Sequence, residues 1–187
     1  MRKLSIVFVF ISFNIYGQDF NGFYITNEND TIKCGFNVGV NLFDAKIFDA
    51  QTVRNKIKII NADAVELKFK PNEIKTFFIE GTSVGNYKFV SIANHKYFYH
   101  EIIKGKLSYY KVYLNNSGGA LGALASVSYY LLKDENLVEL NPLNLRKGLS
   151  KQIADYPELH DKWIDSNNYY KLDQLEEVIN LYNEYFK

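Results

Sequence analysis

The pattern of apolar and polar positions changes period once along the chain. From residue 20 to residue 140, aromatic and aliphatic residues alternate with polar ones in short runs separated by Asn, Asp and Gly. This is the period of strands with one wet face, typical of an antiparallel sheet. The clearest run is 64–70, where Val65, Leu67 and Phe69 face one way and Glu66, Lys68 and Lys70 the other. Residues 53–60, 74–79, 87–93, 96–103, 107–114, 127–133 and 137–140 read as further strands. Polar residues 27–30 sit between two extended runs and mark a hairpin. Residues 37–52 read as a loop with a short helical turn. At 104–106, Gly105 suits a tight turn that needs a positive φ.

Beyond residue 140 the apolar spacing becomes helical. Asn141 is placed to cap a helix with Pro142 at its first position. Leu145, Leu149 and Ile153 then recur every four residues. Asp155 with Glu158, and Asp173 with Glu176, have capping-box spacing and predict two more helix starts. Leu175, Val178, Ile179, Tyr182 and Phe186 form an apolar stripe that needs a surface to bury against. The sheet is that surface. The expected fold is α+β, an antiparallel twisted sheet or partial β-barrel with a C-terminal cap of three short helices. Residues 18–140 form the β-rich part and 141–187 the cap, together one domain.

Composition sharpens this picture in two places. Tyr and Phe number 15 and 14 in 187 residues, a bias toward pleated, half-buried surfaces. The single Cys34 cannot form an internal disulfide, and its place on a strand suits buried filler. The start of the chain reads as a signal peptide over 1–17. Arg2 and Lys3 precede an apolar run at 4–13 and a polar exit at 14–18, with cleavage after Gly17 or Gln18. The run is too short to span a membrane comfortably. Export to the periplasm, envelope or exterior follows as the expectation. Without Arg2 and Lys3, 20 basic residues face 21 acidic ones. A near-neutral chain lacks the electrostatic footprint of a nucleic-acid binder. No transmembrane span is expected in the mature chain.

The opening GFYITNENDTIKCGF resembles that of secreted proteins of Bacteroidetes-type bacteria. In those a G-Y-I-x-T-N-x-G-D-T-I-x-G pattern follows the signal peptide. The tail is similar too, with Pro157-Glu158-Leu159, then Asp173, Leu175 and Val178, then Tyr182-Asn183. Asn29 and Cys34 depart from the pattern, which often has Gly at both positions. The resemblance implies export and architecture, and no activity.

Candidate chemistry is sparse. His95, His100 and His160 lack metal-ligand spacing, and no Cys pair could supply partners. No cofactor or metal is expected. Asp44, Asp49, Glu80 and Glu101 could pair as acid and base only if the fold brings them together, the basis of a hydrolase alternative. Gly118, Gly119, Leu121, Gly122 and Leu124 lie in an uncharged linker between two strands. It lacks the Lys-Ser/Thr ending of a phosphate loop and reads as a hairpin loop that could dock a partner. Tyr97, Tyr99, Tyr109, Tyr113 and Tyr129 share alternation phases within their strands, as do Phe98, Tyr110 and Tyr130. One set would line the core and the other could face out to stack on an envelope protein or glycan. The leading expectation is a non-enzymatic binding or interaction module. A structural or assembly component is the third reading.

Overall fold

A computed structural model describes residues 18–40, 48–114, 126–165 and 167–187. The signal-peptide expectation at 1–17, Asp44, and the linker residues Gly118, Gly119, Leu121, Gly122 and Leu124 lie outside the described residues.

Ten strands form one antiparallel sheet: β1 Gln18–Ile25, β2 Thr31–Val38, β3 Ile57–Ile60, β4 Glu66–Phe69, β5 Thr76–Thr82, β6 Gly85–Ser91, β7 Phe98–Ile103, β8 Ser108–Leu114, β9 Ser126–Lys133 and β10 Asn136–Leu140. Their spatial order is β10-β9-β8-β7-β6-β5-β1-β2-β3-β4. The chain therefore meanders through β1 to β4, returns to lay β5 beside β1, and meanders again to β10. The sheet is open but strongly curled. A 3-10 turn at Ala50–Val53 lies against both β3 and β8. In a flat sheet those strands would stand about 29 Å apart at ~4.8 Å per strand, far beyond the reach of a single turn.

Three helices follow β10: α1 Leu145–Gln152, α2 Pro157–Ile164 and α3 Leu175–Tyr185. Short 3-10 turns at Pro142–Asn144 and Leu172–Gln174 lead into α1 and α3. The expected α+β architecture with a helical cap is present. The predicted strand at 53–60 is corrected at its start, because Val53 ends the 3-10 turn and β3 begins at Ile57. Val53, Ile57 and Ile59 are all buried, so their apolar spacing suits either assignment.

Two cores lie on the same, inner face of the sheet. Within the curl of β1 to β7, Phe36, Phe77, Phe89, Phe98, Ile57, Ile59 and Ile79 are nearly sealed from solvent. Under the cap, Leu107, Tyr109 and Leu131 meet Leu149, Ile153, Leu159, Trp163, Val178, Ile179 and Tyr182. A third, smaller cluster around Tyr99, Tyr110 and Val112 lies on the opposite, outer face.

Side-chain bonds fix the cap on the sheet. The Asn183 amide pairs with both backbone groups of one residue. Its Oδ1 accepts from the Leu107 N–H at 2.8 Å and its Nδ2 donates to the Leu107 carbonyl at 2.9 Å. Beside it, the Tyr182 hydroxyl donates to Asp155, at 3.0 and 2.9 Å from its two oxygens. Lys133 of β9 lies 2.9 Å from the same carboxylate.

Three local expectations change here. Gly105 has no positive φ. A Cβ there would stand 2.4 Å from the Asn183 side chain, so the glycine makes room for this clasp. Asp155 does not cap α2, whose N-cap is Tyr156 without a side-chain bond; it is drawn to Tyr182 and Lys133 instead. At the third start, the Lys171 N–H donates to Gln174 Oε1 at 2.9 Å. Glu176 reaches Lys111 at 2.9 Å instead of closing a box with Asp173. The Asn141 cap stands, its Oδ1 accepting from the Leu143 N–H at 2.9 Å.

Asn183→Ala strands a buried donor and acceptor and is expected to cost about 2–4 kcal/mol in urea unfolding. Gly105→Ala destabilises by displacing the same amide, so in an Asn183→Ala background it should cost little. Additive losses would show that the two residues act apart. A second pair separates two strand glycines. At Gly22 a Cβ would meet the Phe78 carbonyl oxygen at 1.9 Å, whereas at Gly35 the nearest atom is 3.8 Å away. Gly22→Ala should disrupt the sheet, and Gly35→Ala should be neutral or stabilising by roughly 0.5 kcal/mol.

Candidate binding surface

Strand register brings eight side chains into one row across the outer face. Lys33 stands opposite Phe23, Phe23 opposite Phe78, and Phe78 opposite Lys88. Lys88 forms an ion pair with Glu101. Glu101 stands opposite Tyr110, Tyr110 opposite Tyr130, and Tyr130 opposite Glu139. At ~4.8 Å per strand the row runs about 33 Å along the sheet. Phe23 and Phe78 stack with centroids 4.4 Å apart, and the Lys88 ammonium lies 5.5 Å from the Phe78 ring. Tyr99 meets Tyr110 and Tyr130 edge-on, at 6.1 and 5.2 Å.

A groove of about 580 Å³ opens at the β2 end of this row. Gly22 and Gly35 both line it. Asn21, Lys33, Asn61 and Glu80 supply polar groups, and Phe23 and Ile60 supply apolar ones. Asn21, Lys33 and Glu80 make no side-chain hydrogen bond or ion pair among the described residues. Gly22 is required where the Phe78 carbonyl approaches, but no contact among the described residues requires Gly35. A glycine within a strand weakens it, and one that no packing explains marks a place where another molecule can approach the backbone. The pattern Thr-Ile-Lys-Cys-Gly-Phe carried that signal in sequence. Cys34 lines the groove and also packs against the inner core. Burial pushes its thiol up to about 11, away from the reactive thiolate.

The five tyrosines read from the sequence do not form one ladder. Tyr97 and Tyr99 lie in the outer cluster, whereas Tyr109 and Tyr129 pack under the cap and Tyr113 beside the inner core. Tyr99 and Tyr109 are each only 2% exposed. Burial pushes the phenols of Tyr99, Tyr109 and Tyr113 up. Tyr109 and Tyr129 stack at 6.1 Å beside a cleft of about 170 Å³ that Lys111 and Glu176 also line.

The acids and histidines are scattered. Asp49 accepts from the Gln51 N–H at 3.1 Å and so caps the 3-10 turn. Glu101 is engaged with Lys88, and only Glu80 lines the groove. His95 stands edge-on to Tyr99 at 6.1 Å. His160 lies 3.0 Å from Asp161. His100 is on the inner face, 2.8 Å from the Tyr113 hydroxyl and ringed by Tyr87 and Phe89. Among the described residues, no three His, Cys, Asp or Glu side chains gather to hold a metal ion. Nor is any helix there long and apolar enough to cross a membrane. Comparison with protein families, curated proteins and solved structures returns no match.

Burial, then the nearby Lys111, lowers the His100 pKa from 6.5 to about 4. Unfolding therefore takes up a proton between those values. Stability is whole above pH 6.5 and falls as the pH drops toward 4, by on the order of 3 kcal/mol. Asp155 acts at lower pH. Burial raises its pKa, but Lys133 and Tyr182 outweigh this and hold it below 3.8, so its contribution is lost only as the pH falls below that value. Urea unfolding at pH 7.5 and pH 5 should show the His100 loss in the native protein and little of it in His100→Phe. Equal losses would assign the slope to other groups.

Proposed function

We propose that this is an exported cell-envelope protein acting as a non-enzymatic binding module, and that a glycan chain is its ligand. The observation that carries this reading is the groove at Gly35. Among the described residues, three polar side chains without a side-chain partner surround a strand glycine that no contact demands. Asn21, Lys33 and Glu80 combine donors and acceptors, the mixed set a polyhydroxylated ligand needs. The half-exposed Phe23 adds apolar surface beside them. Pockets for small ligands span roughly 300–1,000 Å³, and the groove falls within that range. The row beyond it offers further aromatic and charged groups for an extended chain. Support for export rests on the charged, apolar and polar order of residues 1–18.

A hydrolase would need two carboxylates, or a carboxylate and a histidine, facing one cleft. Asp44 lies outside the described residues, and of Asp49, Glu80, Glu101, His95 and His100 the groove holds Glu80 alone. Binding is thus the reading better supported.

Gly35→Leu tests it. The nearest atom to a Cβ at this position is 3.8 Å away, so the fold should persist with an unfolding midpoint close to that of the native protein. Calorimetry against a panel of neutral and N-acetylated oligosaccharides should find a ligand for the native protein and at least a tenfold loss in the variant. No binding across the panel, or binding indifferent to Gly35→Leu, would end the glycan reading.

A further inference from the structure

The helical cap carries a second groove, unrelated to the outer face. It measures about 390 Å³ and lies between the start of α1 and the connection from α2 to α3. Leu143, Ile164 and Leu172 line it while remaining 90%, 50% and 48% exposed. Three large aliphatic side chains left in water around one concavity point to an occupant. Its charged lining residues are both cations, Arg146 and Lys147, with no carboxylate. Lys147 has no side-chain partner among the described residues. The Arg146 guanidinium donates to the backbone carbonyls of Trp163 and Tyr170, which fixes it in place without neutralising it.

We infer that this groove binds a single-chain anionic amphiphile, an aliphatic chain ending in a carboxylate. Charge complementarity sets the head group, since a cationic one would meet Arg146 and Lys147 with no acid in the lining. The same lining disfavours a polypeptide. Asn144 and Ser150 are the uncharged polar side chains in the lining, and the Ser150 hydroxyl, which already donates to the Lys147 carbonyl at 3.0 Å, can only accept. Peptide amides buried there would go largely unpaired, at a cost an aliphatic chain does not incur.

The chain's single Trp gives a direct readout. Arg146 stacks over the Trp163 ring at 4.4 Å, and the indole N–H donates to the Arg146 carbonyl at 2.8 Å. Titration with decanoate should change Trp163 fluorescence saturably, below the concentration at which decanoate aggregates, and calorimetry should give one site. Decyltrimethylammonium should bind at least tenfold more weakly. Lys147→Glu should narrow or invert that preference, and Ile164→Gln should weaken decanoate at least tenfold. Both side chains are exposed, so circular dichroism should show an unchanged fold. The inference fails if the two amphiphiles bind alike or if Ile164→Gln has no effect. It also fails if only anionic phospholipid vesicles, or only an acidic apolar peptide, produce a response.

Discussion

The paired hydrogen bonds between the Asn183 amide and the backbone of Leu107 are the constraint on which the arrangement of the molecule depends. They join α3 to the turn between β7 and β8 through two buried hydrogen bonds. Gly105 is the cost on the strand side, a residue without a side chain so that the amide can enter. Tyr182, the adjacent residue on α3, reaches Asp155 and through it Lys133 of β9. Two successive residues thus tie one helix to the β7–β8 turn, to β9 and to the segment between α1 and α2. The apolar stripe of α3 supplies most of the burial energy, but apolar contact is non-directional. The amide and the phenol select the position at which that stripe docks.

This docking assigns the two faces of the sheet different tasks. The inner face is consumed, by the curl on one side and by the cap on the other. His100 lies on the inner face among Tyr87, Phe89 and Tyr113, and burial there lowers its pKa. The outer face receives no helix among the described residues, yet it is not an ordinary solvated face. It carries stacked phenylalanines, a largely desolvated ion pair and edge-packed tyrosines. The Lys88–Glu101 pair contributes less to stability than its closeness suggests, because desolvation opposes the attraction. Its more secure consequence is order, since it holds two long side chains in register beside Phe78 and Tyr110.

Much of the fold was legible in the chain, because each strand alternates and each helix repeats at its own period. Asn141 capped the cap's first turn where its chemistry predicted. The failures share a cause, which is that local signals are indifferent to tertiary partners. Asp155 has the spacing of a capping residue, but a lysine and a phenol distant in sequence compete for its carboxylate. Gly105 has the look of a turn glycine, but the space it leaves belongs to Asn183, on a helix far along the chain. The tyrosines show the limit for the binding site. Alternation gives the phase within a strand, but phase between strands follows register. A register shift between Glu101 and Ile103 helps set how β7 meets β8. Tyr99 and Tyr109 consequently lie on opposite faces. Gly35 was visible as a glycine inside a strand, but only three-dimensional distances separate it from Gly22, whose absence of a side chain is a packing necessity.

The proposed recognition surface is the outer face of the sheet. Amide NMR of the isotope-labelled protein, titrated with the tightest oligosaccharide ligand found, tests this directly. Shifts centred on Asn21, Gly22, Gly35 and Asn61 and fading along the row toward Tyr130, with Leu107 and α3 unmoved, are the predicted result. Shifts confined to the cap or to the inner face around His100 and Tyr113 would contradict it.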